Sequence, residues 1–340
     1  MFERQKKIPA AEEIIAELPL SAELKKLKAE RDALIKDVIC GKSDKLLVIT
    51  GPCSAHEAAP VLEYVKRLGK LNEKVKEKLV LVPRIYTNKP RSRGVGYKGM
   101  FSQPDPAKSE DIVKGIHAIR TLNIRAMEIS GLSAADEMLY PANFDYVGDL
   151  LSYNAVGARS CENQLHRLVA SGIDEPVGIK NPMSGSVKVL LNSIYAAQSE
   201  QTFKLNSWQV KTCGNPLAHA ILRGAVDGYG NDIPNFHYET VMQVAEGYAS
   251  SGLKNPAIII DANHSNSAKK FKQQIRICEE VMHNRLFDSD FKSIVKGFMI
   301  ESFLEEGNQD EDLIFGKSIT DPCLGWADTE RLILDLADKV

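Results

Sequence analysis

The spacing of hydrophobic and polar positions in this 340-residue chain changes near residue 44. Between residues 21 and 36, apolar side chains recur at helical intervals among Lys and Glu residues. Ser21 stands at the start of this stretch, where it suits the capping position of a helix. The pattern predicts a surface helix that either closes one end of the domain or contacts another subunit.

After residue 44, eight short apolar runs alternate with amphipathic stretches of helical period. Most of the runs are continuously apolar, which is typical of strands covered on both faces. This alternation predicts an α/β fold and favours a single (β/α)8 (TIM) barrel, with a doubly wound open sheet as the alternative. We expect residues 1–40 to form a short N-terminal helical arm and residues 41–340 the barrel domain. The expected strands are Leu46–Thr50, Leu79–Tyr86, Ile124–Ile129, Asn154–Ala158, Val177–Lys180, Phe203–Asn206, Ala257–Ile260 and Gly297–Ile300. The expected helices include Val61–Leu68, Asp111–Leu122, Val187–Ala197 and His237–Tyr248.

The composition of the chain adds to this picture only by excluding some classes of protein. The chain has 43 Lys and Arg against 45 Asp and Glu, and 44% of its residues are hydrophobic. It is therefore too apolar for a disordered chain and not basic enough for nucleic-acid binding driven by overall charge. No run approaches the roughly 18 apolar residues of a membrane span, and the N-terminus lacks the apolar core of a signal peptide. We expect a cytoplasmic protein with neither nucleic acid nor membrane as a partner.

Specific polar residues lie within or just after the predicted strands. In a (β/α)8 barrel the carboxyl ends of all strands meet at one face, where active sites are built. Arg and Lys side chains gathered there indicate a pocket for substrates that carry more than one phosphate or carboxylate group. The six cations at these positions are Arg84, Lys89, Arg91, Arg159, Lys180 and Arg223.

A second group at the predicted strand ends offers ligands for a divalent metal. A thiolate, an imidazole and two carboxylates suit a transition metal, although no local spacing motif supports the site. A lone Cys after a strand is more often a small core residue. Glu301 favours a function more strongly, because an unpaired carboxylate in an apolar run is costly to bury. The four candidate ligands are Cys53, His264, Glu301 and Asp321.

The segment from Gly94 to Gly99 matches the glycine spacing of a dinucleotide-binding motif. A loop rich in Lys, Pro and Arg precedes it rather than a strand, and no helical pattern follows, so the motif lacks its structural context. We interpret the segment as a mobile loop over the pocket, whose glycines allow the backbone to approach a phosphate.

Eight segments carry a close resemblance to a known family. They are GPCS (51–54), PRIYTNKPR (83–91), GARSCENQLHR (157–167), GIKNP (178–182), ILRG (221–224), NHSNS (263–267), IESFLEEGNQ (300–309) and GKSITDPCLGW (316–326). In this order they resemble the type I 3-deoxy-D-arabino-heptulosonate-7-phosphate (DAHP) synthases, which carry out the first step of the shikimate pathway. The resemblance covers residues 40–335. It implies a (β/α)8 barrel, a divalent metal, condensation of phosphoenolpyruvate (PEP) with D-erythrose 4-phosphate, and a homodimer or homotetramer.

The resemblance also implies a role for each candidate residue. The residues that resemble the metal ligands are Cys53, His264, Glu301 and Asp321, a mixed set that accepts Mn²⁺, Co²⁺, Fe²⁺ or Zn²⁺. The residues that resemble the PEP site are Arg84, Lys89, Arg159, Lys180 and Arg223, with Glu137 near them. The residues that resemble the erythrose 4-phosphate loop are Lys89, Pro90, Arg91 and Ser92. The catalytic candidates are Lys89, as the acid for the aldehyde oxygen, Glu137, as the group that positions the water, and His264.

Cysteine chemistry and two rival functions complete the expectations. The six cysteines have no disulfide-framework spacing, so we expect them to be reduced, except that Cys53 and Cys323 would form a disulfide in metal-free protein. Lys180 at a strand end would also suit a Schiff-base aldolase. The other rival is a catalytically silent scaffold that binds a partner enzyme through its N-terminal arm.

The chain departs from the family in features linked to regulation and substrate binding. Ser92 and Arg93 stand where Thr-Thr is common, and the N-terminal arm is shorter than in the feedback-inhibited enteric members. Positions that resemble the aromatic amino-acid pocket of those members carry Phe144, Asp145 and Asp174, which are larger or more acidic than expected there.

We therefore expect weak or absent feedback inhibition. Millimolar Phe or Tyr should leave the rate of PEP consumption unchanged, because the altered pocket would not accept an aromatic side chain. Leucine at the same concentration serves as the control amino acid. Abolition of activity by Phe or Tyr alone would show the expectation to be wrong.

Overall fold

The computed structural model describes residues 1–91, 94–310 and 314–340. The strands of the described residues are β1 (Leu46–Gly51), β2 (Leu79–Pro83), β3 (Ala134–Glu137), β4 (Leu151–Val156), β5 (Val177–Lys180), β6 (Gln201–Leu205), β7 (Trp208–Thr212), β8 (Ala218–Leu222), β9 (Ala225–Val226), β10 (Asp232–Ile233), β11 (Ile258–Asp261) and β12 (Val295–Glu301). Eight of them are parallel and form one sheet in the order β2-β1-β12-β11-β8-β5-β4-β3, and a parallel bridge between Arg84 and Ala135 joins its two edges. The sheet thus closes into a barrel with helices around it, which confirms the predicted (β/α)8 fold.

The four predicted helices overlap longer or shifted helices of the structure. None of the helices in the described residues is both long and apolar enough to cross a membrane. The helices are α1 (Ala11–Glu17), α2 (Ala22–Ile39), α3 (Ala58–Val75), α4 (Ile112–Ser130), α5 (Gln164–Ala170), α6 (Val187–Gln198), α7 (Tyr238–Ser251), α8 (Gln273–Phe287), α9 (Ser289–Ile294) and α10 (Trp326–Asp338).

Six of the expected strands overlap barrel strands, and two do not. The expectation for Ile124–Ile129 is wrong, because this run belongs to the last turns of α4, which ends at Ser130 and is capped by Gly131 in the left-handed conformation. The third barrel strand is instead β3, whose sequence Ala-Ala-Asp-Glu has little strand character. The run Phe203–Asn206 lies largely in β6, but β6 pairs with β7 in an antiparallel hairpin outside the barrel, and β8 takes the sixth barrel position.

Helix α2 closes the amino-terminal end of the barrel. Ser21 caps the helix by accepting a hydrogen bond from a backbone N–H of its first turn, as the sequence predicts. Near the other end of the helix, Ile35, Val38 and Ile39 are fully buried and pack with inward-facing strand residues such as Leu47. The barrel interior is therefore apolar toward α2, which leaves the opposite end for polar chemistry.

Shortening a buried side chain of α2 should destabilise the whole barrel. Ile35→Ala removes fully buried methyl groups and should lower the free energy of unfolding by about 2–5 kcal/mol, measured by urea denaturation. The matched control is Leu34→Ala on the same helix, because Leu34 is 37% exposed and should cost less than about 1 kcal/mol. Equal losses of unfolding free energy in the two variants would contradict the role of α2 in closing the barrel.

Candidate active site

Side chains at the carboxyl ends of the barrel strands line a cavity of about 270 Å³. Two of the predicted site residues are not among its lining. Glu301 lies beneath the cavity and is 1% exposed, and Ser92 falls outside the described residues. The predicted residues that line the cavity are Cys53, Arg84, Lys89, Pro90, Arg91, Glu137, Arg159, Lys180, Arg223, His264 and Asp321.

Three of the four candidate metal ligands converge closely. Cys53 after β1, Glu301 at the end of β12 and Asp321 each offer a ligand atom, and these atoms lie within 4.8 Å of one another. His264, the fourth candidate, stands beside them, with its Nε2 3.8 Å from Glu301 Oε1. Sulfur, oxygen and nitrogen donors at this spacing suit a divalent transition metal, so the residues present fit such an ion.

Two lysines balance the negative charge of this cluster. Lys89 Nζ lies 2.7 Å from Cys53 Sγ and 3.1 Å from Asp321 Oδ2, and Lys269 Nζ lies 2.8 Å from Asp321 Oδ1. Burial raises the pKa of Asp321, but the two ammonium groups outweigh burial and hold that pKa well below its usual range. Burial, reinforced by Glu301, raises the pKa of the Cys53 thiol to about 11. A cation that binds here must therefore displace the thiol proton and compete with Lys89.

Arg84 and Glu301 form a buried ion pair under the cavity. Arg84 Nη2 donates to Glu301 Oε1 at 2.9 Å, and both side chains are at most 2% exposed. The guanidinium also lies 3.6 Å from the centre of the Tyr86 ring, and Asn263 Nδ2 donates to Glu301 Oε2 at 2.6 Å. Burial disfavours the charge on Arg84, but Glu301 together with other acidic neighbours outweighs burial and raises the pKa of Arg84 above its usual range. Both charges are thus fixed in position before any substrate binds.

The remaining cations surround the same cavity from neighbouring strands. Lys180 at the end of β5 lies 2.9 Å from Glu137 and 3.9 Å from Asp261. Burial raises the pKa of Glu137, but Lys180, with help from Arg84 and His264, outweighs burial and holds that pKa below its usual range. Arg223 after β8 donates to Ser265 Oγ at 3.0 Å, whereas Arg159 is exposed at the rim. The cavity therefore presents cations from several strands to one small volume.

The candidate erythrose 4-phosphate loop follows β2 and is hydrogen-bonded to the glycine-containing segment 94–99. The backbone N–H of Lys89 donates to Lys98 O at 3.1 Å, and Arg91 Nε donates to Tyr97 O at 2.8 Å. Gly99 has a φ of +101°, and a Cβ there would lie 2.5 Å from a backbone oxygen of the loop. In the part of this segment that the structure describes, no helix follows the glycines directly, which is consistent with a loop rather than a dinucleotide-binding turn.

Sequence reasoning missed several residues that organise the site. Asp261 ends β11, and its Oδ2 lies 2.8 Å from His264 Nδ1, where it orients the imidazole. A buried carboxylate after an apolar run was the available signal, as for Glu301. Asp136 accepts hydrogen bonds from the backbone N–H and hydroxyl of Thr87, and burial raises its pKa to about 7. Lys269 carried no signal, because it lies in an irregular segment beyond β11.

Comparisons with known proteins agree on one family. A family model described as the DAHP synthetase I family matches residues 18–333. The Phe-sensitive phospho-2-dehydro-3-deoxyheptonate aldolase of Escherichia coli (strain K12) is 40% identical over 316 residues, which cover 90% of this chain and 87% of that protein. The Trp-sensitive enzyme of that name from Enterobacter agglomerans is 38% identical over 336 residues, which cover 96% of this chain and 93% of that protein. The solved structure of phospho-2-dehydro-3-deoxyheptonate aldolase from Francisella tularensis SCHU S4 matches with a TM-score of 0.92 and 31% identity, covering 100% of this chain and 98% of that one.

The two cysteines beside the metal ligands generate a redox prediction. Cys53 and Cys323 are buried free thiols, and the backbone N–H of Cys53 faces the Cys323 sulfur. After chelator treatment and air exposure, thiol titration under denaturing conditions should find two fewer free thiols than in metal-loaded protein, because one disulfide consumes two thiols.

A background variant removes the main complication of this experiment. Cys213 is exposed and able to form disulfides between molecules, so the titration is repeated in Cys213→Ser. The loss of thiols should persist in Cys213→Ser and disappear when Cys323→Ser is added. An unchanged thiol count in chelated, air-exposed protein would overturn the prediction.

Proposed function

We propose, because the chain belongs to the DAHP synthetase I family, that it condenses PEP with erythrose 4-phosphate and water to give DAHP and phosphate. This reaction is the first step of aromatic amino-acid biosynthesis. The observation that carries the proposal is the convergence of two chemistries in one cavity. A cluster of cations suited to two anionic substrates adjoins a cluster of sulfur, oxygen and nitrogen donors suited to a divalent metal.

The metal site supplies the electrophilic activation in this proposal. Its ligands are Cys53, His264, Glu301 and Asp321, and the ion is Mn²⁺, Co²⁺, Fe²⁺ or Zn²⁺. A divalent ion bound there supplies Lewis-acid polarisation of the erythrose 4-phosphate aldehyde. Asp261 supports the site from behind by holding the ring of His264 in orientation.

The buried cations hold PEP. Arg84, Lys180 and Arg223 bind its carboxylate and phosphate, and Arg159 covers them from the rim. Arg84 presents its guanidinium in a fixed orientation, because Glu301 and the Tyr86 ring contact it on separate sides. Binding to groups already in place makes the later attack effectively intramolecular.

The loop after β2 holds erythrose 4-phosphate and supplies a proton. Lys89, Pro90, Arg91 and Ser92 bind this substrate, with the Lys89 ammonium also placed to protonate the aldehyde oxygen. As C3 of PEP forms a bond to the aldehyde carbon, positive character develops at C2 of PEP. Glu137 positions the water that adds at C2, and one proton of this water replaces the proton that Lys89 donates. Phosphate then leaves with the other proton when its C–O bond breaks and C2 becomes a ketone. The new hydroxyl on the former aldehyde carbon carries the proton from Lys89.

The Schiff-base alternative is less well supported by the surroundings of Lys180. An amine nucleophile must lose its proton and reach the substrate carbonyl. Lys180 instead forms an ion pair with Glu137 at 2.9 Å and lies 3.9 Å from Asp261. The ion pair with Glu137 suits a role in substrate binding better than nucleophilic attack on a carbonyl.

Finer properties of the protein follow from the family resemblance. We propose that the enzyme is cytoplasmic and works as a homodimer or homotetramer. Sedimentation equilibrium at micromolar concentration measures the assembly directly, and a monomer at that concentration would contradict this part of the proposal.

Metal dependence tests the mechanism and both rival functions together. EDTA should abolish DAHP formation, and Mn²⁺ or Co²⁺ should restore it, because the proposed mechanism needs a bound divalent ion. A Schiff-base enzyme would keep its activity in EDTA, and a silent scaffold would have no activity for a metal to restore. Borohydride added with substrate should leave no covalent adduct on Lys180. Full activity in EDTA, or an adduct on Lys180, would refute the metal mechanism.

A pair of cysteine variants locates the metal. Cys53→Ser should lower bound Mn²⁺ and activity by about 100-fold, since it removes a ligand. Cys278→Ser is the matched control, because Cys278 is also fully buried but lies in α8, away from the cavity. Equal metal content in the two variants would exclude Cys53 as a ligand.

A further inference from the structure

A second cavity of about 270 Å³ lies at the opposite, amino-terminal end of the barrel. It is formed by residues 41–45 ahead of β1, the carboxyl end of α8, the short helix α9 and the first residues of β12. Lys296 in this cavity and Glu301 in the active site belong to the same strand, five residues apart, which corresponds to roughly 16 Å. The cavity is therefore separate from the catalytic site.

Four cations line this second cavity against a single carboxylate. They are Lys45, Arg285, Lys292 and Lys296, and the carboxylate is Asp44. Lys45 donates to a backbone carbonyl, but among the described residues neither Lys292 nor Lys296 has a carboxylate within ion-pair distance. Burial and the neighbouring Arg285 lower the pKa of Lys296, and Asp44 offsets this only in part. Unbalanced cations held this close favour binding of an anion.

Arg285 is the buried element of the cavity. Its side chain is 6% exposed, and Nη1 donates to the carbonyls of Lys292, at 3.0 Å, and Val295. These bonds fix the guanidinium, whereas its Nε is buried and has no hydrogen-bond partner among the described residues. A fixed guanidinium with an unused donor is the kind of group that binds phosphate oxygens.

Hydroxyl groups complete the set of donors. Ser43 and Ser289 line the same cavity, and hydroxyls beside Arg and Lys are a common combination around phosphate. Because the charged and hydroxyl side chains of the lining are donors apart from Asp44, the cavity suits a small, highly charged anion. We propose that this cavity binds a small phosphate dianion, either free or as a monoester, at a site distinct from the active site.

Phosphate binding to charge-removing variants tests the proposal. Lys296→Met keeps the aliphatic stem but removes the charge, and should weaken binding of inorganic phosphate at this site by about tenfold or more while DAHP formation stays unchanged. Lys292→Met gives a second test on an exposed residue whose change does not threaten folding. Lys254→Met, an exposed lysine outside the cavity, is the matched control and should bind as wild type does.

Titration calorimetry with inorganic phosphate and a crystal structure determined in phosphate supply the two readouts. Wild type and Lys254→Met should show one more binding site than Lys296→Met, with phosphate density beside Arg285. If glycerol 3-phosphate binds at least as tightly, the occupant is a monoester, and if only inorganic phosphate binds, the occupant is the free ion. Identical phosphate binding in all variants, or phosphate density in the active site alone, would overturn the proposal.

Discussion

The carboxyl end of the barrel depends on one buried ion pair, between Arg84 and Glu301. The pair connects the end of β2 to the end of β12, the two strands that flank β1. Neither charge would be stable alone in this position, because the loss of one partner from a buried pair costs several kcal/mol. Asn263 and Tyr86 satisfy the remaining faces of the pair. A candidate metal ligand and a candidate substrate-binding cation thus hold each other in place.

The same pairing is repeated across the cavity. Lys89 contacts Cys53 and Asp321, and Lys180 contacts Glu137. Because opposite charges alternate, the protein can bury many ionised groups without a large electrostatic penalty. In each pair an anion-binding cation lies next to an acidic or nucleophilic group. An anionic substrate can therefore take the place of the acidic partner, and a metal ion can take the place of the cationic one. Because the charged groups are already in place, they need little rearrangement when the reaction begins.

A site residue could be predicted from the sequence where burying its side chain without a partner would cost much free energy. Glu301 was identifiable because a carboxylate ending an apolar run is expensive unless it has a partner, and the structure provides Arg84. Strand β3 was missed for the opposite reason, since Asp136 and Glu137 fill half of a four-residue strand and remove its hydrophobic signal. The run 203–206 has real strand character, but which partner it pairs with depends on tertiary contacts that local pattern does not contain. Lys269 acts only through the folded chain, which brings it to Asp321.

The net charge of −2 conceals how the charges are arranged. The barrel interior near α2 is apolar, with Ile35 and Leu47 in one buried cluster, and cations collect in cavities at both ends. At the carboxyl end Arg84, Lys89 and Lys180 are each paired with a carboxylate, whereas at the other end Lys292 and Lys296 have only Asp44 in the cavity lining to balance them. Since a cation without a carboxylate partner gains most from an added anion, the amino-terminal cavity favours an anion although it holds no catalytic residue. The overall composition is therefore the sum of two cationic cavities and a more acidic remainder, and position in the fold determines what each charge can bind.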